Sequence, residues 1–461
     1  MKLPPSHYES IRDHTFEWNC YDVVIWQDCA DGHRFEGHGI IKSNQQGLLF
    51  LDFVCMKSRK QVIFSEIIPL DRFDEKQIVK FKAKIIGGVE ITSENIIVKP
   101  SFQNIFSCPT LYRIGFNNIV INEFSRNEDA NSIYFEFKEC CDIPFNKNNK
   151  IESTLGSSSF SWNQTILENE NFSFNLINHD NYTEVTISSA KFSHDELLDA
   201  VIFYIGFSSG SFPQPYLLRK TKKNNMQTIV RSVNENLSHK SVSPPLYSHV
   251  HDEENTPLDN LHFELLENIF KNILVNKSIF TSAYSQWKRV WHSFQAVEPS
   301  VAMLTLSVAV EGLLNDVYIP AIKRLSQDSD FEKEKLKIVD TLSSLNEINE
   351  GHKKSLCEFV YRWGNIYAKK ALDYLESKKV IEAEHKKVWV ELRNASAHPK
   401  LLGENETRKR KQSYQIRMCL GLFYRLILNM HQYKGAQYNF AITKDAEYDV
   451  LPFIDIVGKS N

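Results

Sequence analysis

The hydrophobic pattern of this chain changes period once. The change falls across a polar stretch with three prolines, SHKSVSPPLYSHVHDEENTPLDN (238–260). Before it, short apolar, β-branched and aromatic runs alternate with polar turns: GIIKS, GLLFLDFV, QVIFSEIIPL, IVKFKAKIIGG, NIIVKP, NIVINEF, SIYFEFKE, FSFNLIN and TEVTISSA. Runs of this length and composition, bounded by Gly, Asn and Asp, predict strands. Their number fits a sandwich or barrel-like domain. After the stretch, apolar residues recur at three and four, which is the helical period. One core cannot serve 461 residues, so separate domains follow from length as well. The expected architecture is multidomain α+β: a β-rich domain over 1–237, a linker over 238–258 and an all-α bundle over 259–461.

One helix is expected inside the β-rich half, in SHDELLDAVIFYIGFSSGS. Ser193 can cap it, Asp195 and Glu196 suit its first turn, and Leu197, Leu198, Val201, Ile202 and Ile205 give it an apolar face. In the second half, LDNLHFELLENIFKNILVN is amphipathic, with Leu261, Leu265, Leu266 and Ile269 on one side. Further helices are expected near 283–294, 299–318, 331–345, 353–376, 379–398 and 412–432. Pro299 occupies a first-turn position.

The net charge of −3 excludes a chain that binds nucleic acid through its overall field, so any such affinity must be local. MKLPPSHYES lacks the apolar core of a signal peptide, and no run is read as a membrane span of ~18–20 apolar residues. The expectation is a cytoplasmic protein, away from membranes, with its eight cysteines reduced. Cys20, Cys29, His33 and His38 lack the close cysteine pair of structural zinc sites. The adjacent Cys140 and Cys141 suit neither zinc nor a relaxed disulfide. His239, His249 and His251 read as solvated linker. No metal or cofactor is expected.

VWVELRNASAHPKLLG (388–403) carries the chemistry. Val388, Trp389, Leu392 and Ala395 mark a core side. Asn394 and His398, four apart, share a face, with Arg393 about 100° round the axis. Pro399 pushes His398 out of the α region, so the helix stops there. At that end the helix dipole favours the protonated imidazole. Such a histidine can exchange protons near neutral pH. Arg393 offers a planar fork that matches phosphate, and Asn394 can hold ribose, phosphate or imidazole. These are the parts needed when an RNA 2′-OH attacks its own phosphodiester. The bland alternative is a capping histidine on a surface helix. A second Arg-to-His spacing, Arg425 to His431, sits in a strongly apolar helix and reads as structural.

Two neighbours add context. Glu311 lies within the apolar run PSVAMLTLSVAVEGLLNDVY, where a carboxylate is costly unless paired. An arginine of the motif helix is a fitting partner, and an exposed polar face is the alternative. In TRKRKQSYQIR, Arg408, Lys409, Arg410, Lys411 and Arg417 stand near the start of the last helix. Positive charge there opposes the dipole, whereas a phosphate backbone would use it.

Over residues 259–435 the chain resembles the HEPN superfamily. The carriers are R-N-A-S-A-H (Arg393–His398) and AVEGLL (Ala309–Leu314), which matches an A-x-E-x-L helix. The order of a long β-rich domain and then this bundle resembles the ApeA-type anti-phage HEPN proteins, by texture and not by a sharp motif. The resemblance implies a metal-independent endoribonuclease of antiviral, abortive-infection defence that cleaves RNA, commonly tRNA. It implies a homodimer or higher homo-oligomer with a composite site where two motif helices meet. It also implies an N-terminal domain that senses a phage-derived trigger or restrains the nuclease. The rival reading is a non-catalytic HEPN protein that binds nucleic acid or a partner, with the β domain as its interaction module.

Overall fold

The computed structural model describes the chain except residues 1–4, 60–72, 86, 95, 101–108, 125–130, 139, 140, 142, 153–157, 234–241, 247–257, 297, 326–328, 346, 363, 398–405, 436, 439, 441–447 and 450–461. The described chain divides into two compact units, Met1–Ser243 and Pro244–Asn461. The dividing point falls inside the polar, proline-containing stretch. Parts of that stretch are nevertheless packed. Val242 and Leu246 are buried, Val242 N–H donates to Gly210 O at 2.8 Å, and Leu246 bridges to Gln437. Their apolar side chains find cores, which a reading by average composition overlooks.

Among the described residues the first unit is an antiparallel sheet with two helices. It opens with α1 (Pro5–Arg12), then β1 (Glu17–Trp26), β2 (Arg34–Ser43), β3 (Leu49–Ser58), β4 (Lys80–Ile85), β5 (Glu90–Glu94), β6 (Ile97–Pro100), β7 (Thr110–Phe116) and β8 (Asn118–Phe124). There follow β9 (Asn131–Lys138), β10 (Lys147–Glu152), β11 (Ser158–Glu168), β12 (Ser173–Asn178), β13 (Tyr182–Ser189), α2 (His194–Ser209), β14 (Leu217–Lys222) and β15 (Asn225–Arg231). Among the described residues all fifteen strands join one sheet, in the order β10-β11-β12-β13-β9-β14-β15-β8-β5-β4-β1-β2-β3-β7-β6.

A sheet this wide must curl or split, and one ring contact shows that it curls. Phe81 on β4 and Phe116 on β7 have centroids 4.9 Å apart. Four strand steps separate them, roughly 19 Å in a flat sheet. The half from β8 to β7 therefore rolls round a core that includes Val23, Leu51, Phe81, Ile91 and Ile114. The roll is barrel-like, but its edge strands do not pair with each other among the described residues. On the other half lies α2, capped by Ser193 and Glu196 in a reciprocal capping box and ended by Gly210 in the left-handed region (φ 67°). It packs on β9 and β13, and Leu197, Val201, Phe203, Tyr204 and Ile205 are fully buried.

Several strands depart from the sequence pattern. β1 holds a bulge between Cys20 and Val23, with Asp22 at φ 51°, which breaks its alternation. β14 and β15 form a hairpin whose turn-proximal residues are polar, so neither reads as an apolar run. The run QVIFSEIIPL (61–70) lies outside the described residues.

The second unit is helical. It comprises α3 (Leu258–Phe294), α4 (Pro299–Leu313), a π-helical turn (Leu314–Tyr318), α5 (Ile319–Leu325), α6 (Ser329–Ser344), α7 (Glu350–Tyr361), α8 (Ala368–Ser377), α9 (Ala383–Ala397) and α10 (Glu406–Met430). α3 is kinked at Asn276, whose φ and ψ are −152° and 82°. The helix expected over 353–376 is two helices, because Gly364 takes a left-handed conformation (φ 75°) between them. The unit is not purely α: β16 (Gln437–Tyr438) pairs with β17 (Tyr448–Asp449).

α10 is the central helix of this unit, with every residue from Met418 to Met430 buried. Tyr318 O–H donates to Leu426 O at 2.6 Å and ties the π-helical turn to it. Arg425 and His431 are buried here. Asn272 Nδ2 lies 2.8 Å from His431 Nδ1, and burial pushes the His431 pKa down to about 3. Both residues are held as the structural reading of that second Arg-to-His spacing requires.

Pro299–Leu325 is long and apolar enough to cross a membrane by length and composition, which corrects the hydropathy reading. About half of that window is buried inside the protein, against α3, α9 and α10.

Candidate functional site

The site is built where α9 lies beside α4. Val388, Trp389 and Leu392 are buried and dock α9 by its apolar stripe. Trp389 Nε1 donates to Ser307 O at 3.1 Å. One turn further along each helix, Arg393 Nη2 donates to Glu311 Oε1 at 2.6 Å. Two rungs four residues apart on both helices fix their register. The pairing of Glu311 with an arginine of the motif helix, expected from the sequence, is present.

The pair sits at the surface, with side-chain exposures of 48% for Arg393 and 28% for Glu311. Arg393 Cζ also lies 5.5 Å from the centroid of the Trp389 ring, close enough for a cation–π contact. Of the five N–H donors of a guanidinium, only one on Nη2 is engaged by a hydrogen bond among the described residues. The other donors of the fork have no hydrogen-bond partner among the described residues. Asn394 is exposed beside it. Ala395 is exposed too, contrary to its expected core position, because the last turn of α9 runs past the packed stripe.

The described part of α9 runs to Ala397. His398 itself lies outside the described residues, as do Pro399 and the loop to α10. The helix stop expected at His398 and the position of the imidazole both lie outside the described residues.

Arg408, Lys409, Arg410, Lys411 and Arg417 belong to the first half of α10 and not to a loop. Lys411 Nζ lies 3.3 Å from Glu391 Oε2, and Gln415 Nε2 donates to the same oxygen at 2.9 Å. These contacts join the basic helix to α9 two residues before Arg393. Residue 391 lies about 200° round the axis from 393, so Lys411 stands on another side of α9. Lys409 pairs with Glu406 at 3.8 Å, and Arg410 and Arg417 are exposed.

Other chemistry can be placed. Gly206–Gly210 reads G-F-S-S-G, the spacing of a nucleophile elbow, which the sequence reading missed. A nucleophile elbow needs a strand-to-helix turn that exposes its serine. Here the segment is the C-terminal end of α2, with Ser208 buried. Among the described residues no group of three or more His, Cys, Asp or Glu side chains is arranged to hold a metal.

The sequence reading also missed a polar stripe on the second half of α3, formed by Ser278, Thr281, Ser282, Ser285, Gln286 and Arg289. With Glu311 it lines a concavity of about 900 Å³. Its signal was legible as hydroxyls and amides at helical spacing in SIFTSAYSQWKR.

No protein-family model, no curated protein and no solved structure matches this chain.

Proposed function

We propose that this chain is a metal-independent endoribonuclease of antiviral, abortive-infection defence, with a HEPN-type helical unit and tRNA as its expected substrate class. The observation that supports the reading best is the Arg393–Glu311 pair. It holds a half-exposed guanidinium in the last described turn of the helix that leads into H-P of the R-N-A-S-A-H-P motif.

In this mechanism the substrate 2′-oxygen bonds to phosphorus while the P–O5′ bond breaks. The 2′-OH proton must leave and the 5′-oxygen must gain one. His398 serves as the acid/base group. Arg393 stabilises charge on the non-bridging oxygens, and Asn394 orients the ribose, the phosphate or the imidazole. One histidine cannot act as base and acid in a single concerted step. A second copy of the chain in a homodimer supplies the other, and Arg408, Lys409, Arg410, Lys411 and Arg417 contact the RNA backbone. The β-rich unit then senses a phage-derived trigger or restrains the nuclease.

End-mapping of cellular RNA after brief expression tests the reading. The expected products carry 2′,3′-cyclic phosphate and 5′-OH ends, form equally in EDTA, and vanish in His398→Ala and Arg393→Ala. Cleavage or toxicity at the unmutated level in either variant overturns the catalytic assignment. It would leave the rival, a nucleic-acid- or partner-binding protein.

A further inference from the structure

We infer that Glu136 and the tyrosines around it form a receptor for an arginine side chain. At rest the chain's own Arg12 fills it, and the arginine of a helical segment from a protein partner can take that place. The site lies in the first unit and does not rest on the nuclease reading.

The receptor is built on the sheet. Tyr134 and Glu136, two apart on β9, share a face. Tyr134 O–H and, from just before β14, Tyr216 O–H both donate to the Glu136 carboxylate. Neither bond involves α1, so both persist without it. Arg12 Nε and Nη2 reach the two carboxylate oxygens at 3.0 and 2.7 Å. Arg12 Cζ lies 4.3 Å from the centroid of the Tyr182 ring on β13. An edge on a carboxylate and a face on a ring suit a guanidinium and not an ammonium. Glu184 stands opposite Glu136 in the sheet, and opposed carboxylates repel, which favours a cation between them.

The docking of α1 does not by itself require this arrangement. Among the described side chains of α1 only Ile11 is buried. Eight residues are too few for a helix to persist alone, so α1 depends on what it docks on. Its other contacts are polar or aromatic. Tyr8 covers Arg219, with Cζ 4.0 Å from the ring centroid, and His7 stacks on Trp18 at 5.5 Å. An apolar pair docks a helix about as well as a buried ion pair. Stability alone therefore does not ask for a carboxylate at 1% exposure with two phenol donors. Exchange of arginines does. Glu136 left without a cation is costly, so α1 gives way when a second guanidinium replaces the first. Arg12 is 29% exposed, so its withdrawal opens the pocket to solvent.

What accompanies Arg12 defines the partner. Tyr8 and Arg12 are four apart and share a helix face, and Ile11 enters the core of the roll. A partner segment fits if it is helical and carries an arginine, an apolar residue directly before it and an aromatic residue four before it. Such a segment replaces the fork on Glu136, the plug in the core and the ring over Arg219 together.

Fluorescence anisotropy on the full chain tests this. The probe is a labelled peptide of residues 5–15, PSHYESIRDHT, which presents the pattern in trans. It should bind Arg12→Ala roughly a hundredfold more tightly than the unmutated chain, because the internal competitor is weakened. Arg12→Lys, which keeps the charge and loses the fork, gives the same comparison in a milder form. With lysine in place of its arginine, the peptide should bind about tenfold more weakly. In the Arg12→Ala chain, Glu136→Gln should abolish binding and Tyr182→Ala should weaken it about fivefold. Ethylguanidinium should raise the melting temperature of Arg12→Ala, and ethylammonium at the same concentration should not. In the unmutated chain the peptide should speed hydrogen exchange at the amides of residues 13–15, which bond back to α1.

The inference is overturned if the peptide does not saturate Arg12→Ala, if it binds the unmutated chain as tightly, or if its lysine form binds equally well. It is also overturned if ethylguanidinium binds as tightly as the peptide, which would make the site one for a small guanidinium compound. Slow exchange at residues 13–15 while the peptide binds would place the peptide elsewhere and overturn it too. If Arg12→Ala is destabilised and neither peptide nor ethylguanidinium restores it, the pair is a staple and nothing more. None of these readouts involves RNA cleavage, so failure of the nuclease reading leaves the site standing.

Discussion

A double-mutant cycle on Arg393 and Glu311 separates a structural ion pair from a catalytic one. The side chains are 48% and 28% exposed, so the pair ranks with surface ion pairs worth about 0.2–1 kcal/mol. In a unit spanning Pro244–Asn461, 1 kcal/mol shifts Tm by roughly 2–4 °C. Glu311→Ala should therefore melt within about 4 °C of the unmutated chain. Arg393→Ala also loses the contact with the Trp389 ring, about 0.5–1 kcal/mol, and should melt within roughly 8 °C. Cleavage should respond far more. Removing a cation aimed at developing charge costs about 10²–10³ in kcat. On the proposed mechanism Glu311 only positions that cation, so Glu311→Ala should cost about tenfold. If, as proposed, Glu311 acts through Arg393, the double variant should cleave no more slowly than Arg393→Ala alone. The assay is single-turnover cleavage of an end-labelled RNA at saturating protein, with melting curves for all four chains. Multiplicative losses would refute action through Arg393. Losses of Tm beyond about 10 °C with cleavage lost in proportion would make the pair structural.

Other predictions follow from buried groups. In the first unit Glu136 is 1% exposed and accepts from Arg12 Nε at 3.0 Å, Arg12 Nη2 at 2.7 Å, Tyr216 O–H at 2.6 Å and Tyr134 O–H. Burial alone would raise its pKa, but these donors, led by Arg12, hold it below the usual carboxylate range. Glu136→Ala should cost that unit about 3–5 kcal/mol in urea unfolding, and a loss under about 1 kcal/mol would show the network to be idle. In the second unit, burial lowers His431 to about 3 and His262 to about 4. Folded pKa values below the unfolded ~6.5 mean that stability is complete above pH ~6.5 and falls as pH drops toward those values. The urea midpoint should thus be lower at pH 5 than at pH 7.5, and a flat profile would contradict this. Burial pushes the Cys20 and Cys419 thiols up to about 12. A thiol reagent should label the less buried Cys29 and Cys357 well before either of these, and early labelling of Cys419 would show that α10 opens readily.

The sequence by itself determined the order of a β-rich and a helical half. That order follows from hydrophobic period, a local property each segment carries alone. It determined the α2 cap, since Ser193 and Glu196 are three residues apart. It also pointed to Glu311, because a carboxylate in an apolar run needs a partner. Only the tertiary structure decided that the partner is Arg393, as that depends on the register of α9 on α4 set by Trp389 and Ser307. Only it showed the sheet rolling until Phe81 meets Phe116. Only it showed Gly364 splitting a helix whose periodicity runs on, and a polar stripe of α3 facing a groove where a core contact would be ordinary. The division has one physical cause: propensity, capping and proline act within a few residues of the chain, whereas pairing and curvature depend on residues far apart in sequence.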